Sequence, residues 1–131
     1  MGPYLLTLLY FLAAIAVIII GLVFFELITR EYKDWDEISN GNSAVALSIA
    51  GKVIGISIIL AFSIYSSVSV MGTVIWGGFG IVLQLAAYFL FEMLTRRFSV
   101  EKELKNGNIA VGIVMMSVSI GLGFVIGASI T

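Results

Sequence analysis

Four long apolar runs constrain the fold of this chain more than any other feature of its sequence. They span residues 4–28, 43–65, 74–94 and 109–130. A helix needs about 20 apolar residues to cross the hydrocarbon core of a bilayer, and each run has at least that many. A barrel strand would be shorter and would alternate polar with apolar residues. We therefore predict an all-α membrane protein in which residues 1–131 form a single membrane domain with four transmembrane helices.

Composition supports this class and argues against several others. Of the 131 residues, 60% are hydrophobic and 11% are charged, which is about half the charged fraction of a soluble domain. The net charge of −1 provides no basic surface for nucleic acid. Cysteine and histidine are absent, so disulfides and the usual transition-metal ligand sets are excluded. Because no catalytic motif occurs either, we predict no catalytic residue, no metal, no cofactor and no enzymatic activity.

One segment of the chain occurs twice. The sequence FELITR at 25–30 returns as FEMLTR at 91–96, and the Asn-Gly-Asn triplet at 40–42 returns at 106–108, each displaced by 66 residues. Self-similarity at a fixed offset indicates a duplicated structural unit. We predict two tandem, parallel helical-hairpin repeats. The first covers residues 4–66 and the second covers residues 72–131.

The polar connector inside each repeat has the pattern of a short helix followed by a tight turn. Asp34 and Glu37 have the spacing of a capping pair, and Ser99 stands at the corresponding start in the second connector. Asn followed by Gly is a typical helix stop, and a further Asn can cap the next helix. We expect both short helices to be amphipathic and to lie in the membrane interface. The predicted turn residues are Asn40, Gly41, Asn42, Asn106, Gly107 and Asn108.

Basic residues are concentrated in the two connectors, which hold six of the seven Lys and Arg side chains: Arg30, Lys33, Arg96, Arg97, Lys102 and Lys105. Loops rich in Lys and Arg stay on the cytoplasmic side of the membrane. We therefore predict a multi-pass protein of a bacterial or archaeal plasma membrane, with both connectors in the cytoplasm and both termini outside.

Glycines of the second and fourth runs predict that these two helices form the closely packed centre. Both runs contain two glycines four residues apart, a spacing that lets helix backbones approach closely in lipid. Gly21 is the only interior glycine of the first run, which we expect to be a lipid-facing scaffold. The predicted packing glycines are Gly51, Gly55, Gly121, Gly123 and Gly127.

Lys52 is the only basic residue within a predicted span. It follows Asn42 by ten residues, or about 15 Å of helix, which places it near the bilayer centre. A lysine there costs about 2.5–3.5 kcal/mol, and no acidic residue is expected at a matching depth. It either lines a polar cavity or binds an anion, or it is a tolerated lysine at a subunit seam.

Three other polar residues of the spans are candidates for a pore or polar cavity. Glu26 and Glu92 each precede an arginine by four residues, so they form either surface ion pairs or a carboxylate ring at a cytoplasmic pore mouth. Gln84 lies deep in the third run, where its amide needs a partner on another helix.

The sequence resembles a known family through residues 36–44, Gly51 with Gly55, Trp76-Gly77-Gly78 and Gln84-Leu85. It is similar, over essentially its whole length, to the bacterial inner-membrane family called domain of unknown function 350. That resemblance implies a membrane location and a tandem repeat of helix pairs. It implies little about activity, although family members look associated with envelope-stress and phage-shock-like systems.

Two functional hypotheses follow, with the lipid bilayer as the environment in both. The first is a homo-oligomeric channel, or another assembly that conducts an ion or solute. The alternative is a non-conducting component that organises the membrane or responds to envelope stress and recruits a cytoplasmic protein partner. A third hypothesis is a subunit of a larger transporter.

Overall fold

The computed structural model describes residues 2–29, 33–66, 69–94 and 99–130, and all their regular structure is helical. Four of the helices are long and apolar enough to cross a membrane, which confirms the predicted all-α class and the number of spans. The third span begins earlier than predicted because the Ser69 side chain accepts a hydrogen bond from the Gly72 N–H and so caps it. The helices are α1 (Pro3–Ile28), α2 (Asp34–Ser39), α3 (Ser43–Ser66), α4 (Val70–Leu94), α5 (Val100–Lys105) and α6 (Ile109–Ile130).

Helix α3 lies at the centre of the molecule and packs against the other five helices. Its partner α6 approaches so closely that the two backbones touch. A Cβ atom added to Gly51 would lie 2.6 Å from the Met116 Cα atom, and one added to Gly55 would lie 2.5 Å from the Ser119 carbonyl oxygen. From the other side, a Cβ atom on Gly123 would lie 2.7 Å from the Gly55 oxygen. Glycine is therefore required at this contact.

Helix α1 lies at the edge of the bundle, against α3 and α4. Its outward face is apolar and exposed, as expected of a helix that faces lipid. Gly21, however, is buried, and a Cβ atom there would lie 2.9 Å from the Cδ1 atoms of both Ile56 and Ile81. The scaffold helix thus has a close contact of its own. This contact is with the ends of flexible side chains, which can move, and not with backbone.

The two connectors end in matching turns. Gly41 and Gly107 adopt φ angles of 85° and 80°, a left-handed conformation that other residues rarely take. The next residue then caps the following span: the side-chain oxygen of Asn42 accepts from the Val45 N–H of α3, and Asn108 caps α6 in the same way. Asn42 also donates to the carbonyl oxygens at the end of α5, at 2.9 and 3.0 Å. It therefore ties the second connector to the start of α3.

The short helices α2 and α5 form as predicted and are docked on the bundle. Val100 and Leu104 of α5 are almost fully buried, as is Asp34 of α2. Asp34 is also not the predicted helix cap, since Lys33 holds that position without a side-chain hydrogen bond. Ser99 does cap α5, by accepting from the Lys102 N–H. Docking buries these apolar residues against α3 and α6, which a helix lying alone in the interface could not do.

Candidate functional site

Lys52 extends from α3 into an aromatic enclosure inside the bundle. Only 2% of its surface is exposed. Its ammonium nitrogen lies 4.8 Å from the ring centroid of Phe25 on α1 and 5.5 Å from that of Tyr88 on α4. The two rings stand edge to face, with centroids 6.1 Å apart. Electron-rich ring faces stabilise a cation at these distances, most strongly where water is excluded.

Acidic residues from both connectors also act on Lys52. Asp34 of α2 and Glu101 of α5 attract its ammonium group electrostatically. The expectation that no acid lies at a matching depth is therefore wrong.

Asp34 is as buried as the lysine, with 2% of its surface exposed. Among the described residues, its Oδ1 atom has no hydrogen-bond partner. Burial raises the pKa of the Asp34 carboxyl above its ordinary value of 3.8, because a charged carboxylate loses its hydration there. Lys52 opposes this rise in pKa, whereas Glu26 and Glu101 add to it by repulsion.

A second pair of carboxyl groups surrounds the Tyr88 hydroxyl. That hydroxyl donates to Glu101 Oε1 at 3.1 Å. Glu92 lies within hydrogen-bonding reach of the same hydroxyl and of the backbone N–H groups of Val100 and Glu101. Tyr88 therefore touches the lysine with its ring and the carboxylates with its hydroxyl, and joins them into one cluster.

A cleft of about 340 Å³ leads to this cluster from the surface. It lies where the last turns of α1 and α4 meet the start of α5. Its walls combine apolar side chains with the two carboxylates and the tyrosine. The lining residues are Leu27, Ile28, Tyr88, Phe89, Glu92 and Glu101.

Gln84 stands one helical turn before Tyr88 and is 3% exposed. Its Nε2 atom donates to the Ser119 carbonyl oxygen of α6 at 3.1 Å, which supplies the interhelical partner that the sequence called for. Among the described residues, its Oε1 atom has no partner. Gln84 lines a small cavity of about 10 Å³, which is space for one water molecule.

The remaining predicted site residues lie in different places. Glu26 acts electrostatically on Asp34 at the edge of the cluster. The proposed ion pairs of Glu26 with Arg30 and of Glu92 with Arg96 lie outside the described residues, because neither arginine belongs to them. The turn residues 40–42 and 106–108 support the connectors and do not enter the cluster.

Gly121 is a correction to the predicted set of packing glycines. It is exposed, and a Cβ atom added there would meet nothing within 4 Å. Gly127, by contrast, packs against the ring of Phe62. Gly112, which the sequence analysis did not select, contacts the backbone of Ala44, where an added Cβ atom would lie 2.8 Å from the carbonyl oxygen.

Sequence reasoning missed four members of the cluster: Phe25, Asp34, Tyr88 and Glu101. The aromatic pair gave no signal, because such residues are common in lipid-facing helices. The acids did give one, since each connector places a carboxylate near the start of its short helix. The sequence analysis assigned Asp34 to helix capping and gave Glu101 no role.

The fold and this site define an integral membrane protein with four spans and a charged cluster enclosed between them. The chain belongs to the family described as Domain of Unknown Function (DUF350), which it matches over residues 2–130.

Two relatives illustrate the extent of the similarity. The UPF0719 transmembrane protein YshE of Bacillus subtilis (strain 168) is 41% identical over 121 residues, which cover 92% of this chain and 90% of the relative. The UPF0719 inner membrane protein YjfL of Escherichia coli (strain K12) is 29% identical over 122 residues, with 93% and 90% covered. No solved structure matches the chain significantly.

Proposed function

We propose that this protein is a non-enzymatic subunit of a small oligomeric assembly that conducts an ion or solute across the membrane. The observation that carries the proposal is the buried charge of Lys52 and the carboxylates that surround it. Charged groups within a membrane protein are expensive and usually mark a transport pathway. Replacing buried charged groups by apolar side chains is often neutral or stabilising, so stability alone is a weak reason to keep them.

The position of the cleft supports a pathway to this cluster. The cleft opens at the ends of α1 and α4 and reaches Tyr88, whose ring covers Lys52. Beyond the lysine, Gln84 offers a further polar group on the same face of α4. A permeating species would thus meet polar groups from the connectors to about the middle of α4.

The proposal includes an arrangement of the assembly. The matching turns at Gly41 and Gly107 support two tandem hairpin repeats of parallel orientation. The basic connectors favour a cytoplasmic location for both turns and an outer location for both termini. Four helices enclose little volume, and the exposed apolar faces of α1 and α6 leave room for further copies of the chain.

Flux through reconstituted protein tests the proposal. We expect proteoliposomes of the unaltered chain to pass protons or small ions faster than empty vesicles. Lys52→Met should change this flux at least severalfold, because it removes the central charge of the cluster. Lys102→Met is the matched control, since Lys102 is exposed on α5 and should leave flux unchanged. Equal flux with and without protein would refute conduction.

One observation favours the alternative of a non-conducting component that recruits a cytoplasmic partner. Trp35 is 60% exposed on α2, beside the buried Asp34. Exposed tryptophans are frequent energetic centres of protein interfaces. On this alternative, Trp35→Ala would abolish the response to envelope stress in cells, whereas Lys52→Met would not.

A further inference from the structure

The charge balance of the cluster indicates which ligand it accepts. Among the described residues, carboxyl groups outnumber the single ammonium group by four to one. Asp34 and Glu101 act on Lys52. Glu26 acts in turn on Asp34, and Glu92 interacts with Glu101. With all five of these described groups ionised, they would hold a formal charge of −3.

An excess of negative charge is costly around Asp34 and Lys52, because both side chains are buried. Neighbouring carboxylates in a low dielectric repel one another, and one of them then retains its proton. An anion would increase the excess, so the electrostatics oppose the anion-binding alternative for Lys52. A proton removes one charge and needs no additional space.

Asp34 supplies an independent observation that points to the same ligand. Its Oδ1 atom is fully buried and has no hydrogen-bond partner among the described residues. An ionised carboxylate oxygen in such a position would lack a donor from the described residues, which is costly. A protonated carboxyl group is neutral and is tolerated there. Burial raises the pKa of Asp34 in the same direction.

Among the described residues, titratable groups face Asp34 and Lys52 from four helices. Glu26 approaches from α1, Lys52 from α3, Tyr88 and Glu92 from α4, and Glu101 from α5. Helix α6 contributes none, because Ile109–Ile130 contains no titratable side chain. Glu92 and Glu101 also line the cleft, and Glu101 acts electrostatically on Asp34, so protons from the cleft can reach the acidic side of the cluster.

We infer that the cluster around Lys52 is a proton-binding site, in which Asp34 holds one exchangeable proton that enters through the cleft beside Tyr88. Binding requires no co-reactant, since the carboxylate gains a proton and releases it unchanged. The inference deepens the proposed function by naming the proton as the species that the assembly handles. The physiological role of this proton site rests on the proposed function, whereas the test of the site does not.

Infrared spectroscopy of the whole protein in lipid nanodiscs tests the site directly. A protonated carboxyl group absorbs separately from a carboxylate, so its titration can be followed. We expect a protonated carboxyl band that persists above the ordinary aspartate pKa of 3.8, because burial raises the pKa of the Asp34 carboxyl. Asp34→Asn should abolish the band. Asp36→Asn, an exposed position on the same helix, should leave it unchanged.

Lys52→Met provides a second test, in which the site and a general loosening of the fold shift the band midpoint in opposite directions. Removing the only ammonium group of the cluster increases the negative excess, so the midpoint of the carboxyl band should move to higher pH by about one unit or more. General loosening of the fold would admit water and move the midpoint down. Absence of the band in the unaltered protein, its survival in Asp34→Asn, or a downward shift in a Lys52→Met variant that keeps its thermal stability would each overturn the inference.

The spectroscopic and flux measurements separate the two proposals. A carboxyl band that disappears in Asp34→Asn, found in a protein without flux, would support the proton site and refute conduction. Flux in a protein that lacks the band would support conduction and overturn the proton site.

Discussion

Lys52 and Asp34 show how a charged side chain is accommodated within a membrane protein. Each is buried to the same degree, and each is delivered by a different helix. The ammonium group gains from two aromatic faces as well as from carboxylates. Aromatic rings stabilise a cation without themselves carrying a charge that must be desolvated. Because the rings already stabilise the ammonium group, the excess of carboxyl groups affects mainly the protonation state of those carboxyl groups themselves.

The raised pKa of Asp34 predicts a pH dependence of stability. The folded protein binds this proton more tightly than the unfolded chain does. The resulting stabilisation is complete below the ordinary pKa of aspartate and is lost as the pH rises through the folded-state value. Asp34→Asn should therefore flatten the decline in stability as the pH rises above the ordinary aspartate pKa of 3.8.

Thermal unfolding in detergent at a series of pH values measures this effect. Asp36→Asn serves as control, because Asp36 is exposed and shares the helix with Asp34. An unfolding profile of Asp34→Asn that keeps the full pH dependence of the unaltered protein would show that another group causes it.

At the scale of the helices, the contact of α3 with α6 depends on the absence of side chains. Gly51 and Gly55 of α3, and Gly112 and Gly123 of α6, allow the two backbones to touch. The close approach maximises dispersion contacts, which drive helix association where lipid removes most of the hydrophobic effect. It also brings α6 near enough for Gln84 of α4 to reach the Ser119 carbonyl.

Alanine substitutions distinguish glycines at the contact of α3 with α6 from glycines on the exposed surface. Gly55→Ala places a methyl group 2.5 Å from a backbone oxygen, which cannot yield as a flexible side chain would. We expect a loss of about 1–3 kcal/mol in the free energy of unfolding. Gly121→Ala, two positions from Gly123 on α6, should cost nothing, because its added methyl group meets open space.

Unfolding in mixed detergent micelles measures the loss in the free energy of unfolding for both variants under one condition. Equal losses for Gly55→Ala and Gly121→Ala would contradict the close backbone contact. A larger loss for Gly121→Ala would instead place that position in an interface between copies of the chain.

At the scale of the whole molecule, the two connectors do more than join the spans. They fold back against α3 and α6 and bring acidic groups to the lysine. The side chain of Asn42 links the start of α3 to the end of α5. Both connectors therefore belong to the same structural unit as the spans, and a movement of either would alter the surroundings of Lys52.

The orientation in the membrane can be tested with single cysteines, because the chain contains none. Ser39 and Ser69 are both exposed and lie at opposite ends of α3. In intact cells, an impermeant thiol reagent should label Ser69→Cys and not Ser39→Cys, since the basic connectors favour the cytoplasm. Permeabilised cells provide the control, in which both should react. Labelling of Ser39→Cys alone in intact cells would show that the orientation is the opposite of the predicted one.

The four spans and the two turns were predictable from sequence because they depend on local properties. Apolar length alone makes a membrane helix, since a backbone in lipid must satisfy its own hydrogen bonds. The turn glycines were equally readable, because a left-handed residue after a helix is nearly always glycine or asparagine. The choice of Gly51 and Gly55 also followed from spacing within one helix.

Only the tertiary structure decided what surrounds Lys52 and which glycines touch another backbone. The spacing rule selected Gly121 as readily as Gly123, because it does not say which face of α6 meets α3. Asp34 resembled a helix cap, because a six-residue helix carries too little pattern to show that it folds back along the next span. Docking of that helix is a long-range event driven by burial. Because of this docking, Lys52 and Asp34 belong to one buried cluster.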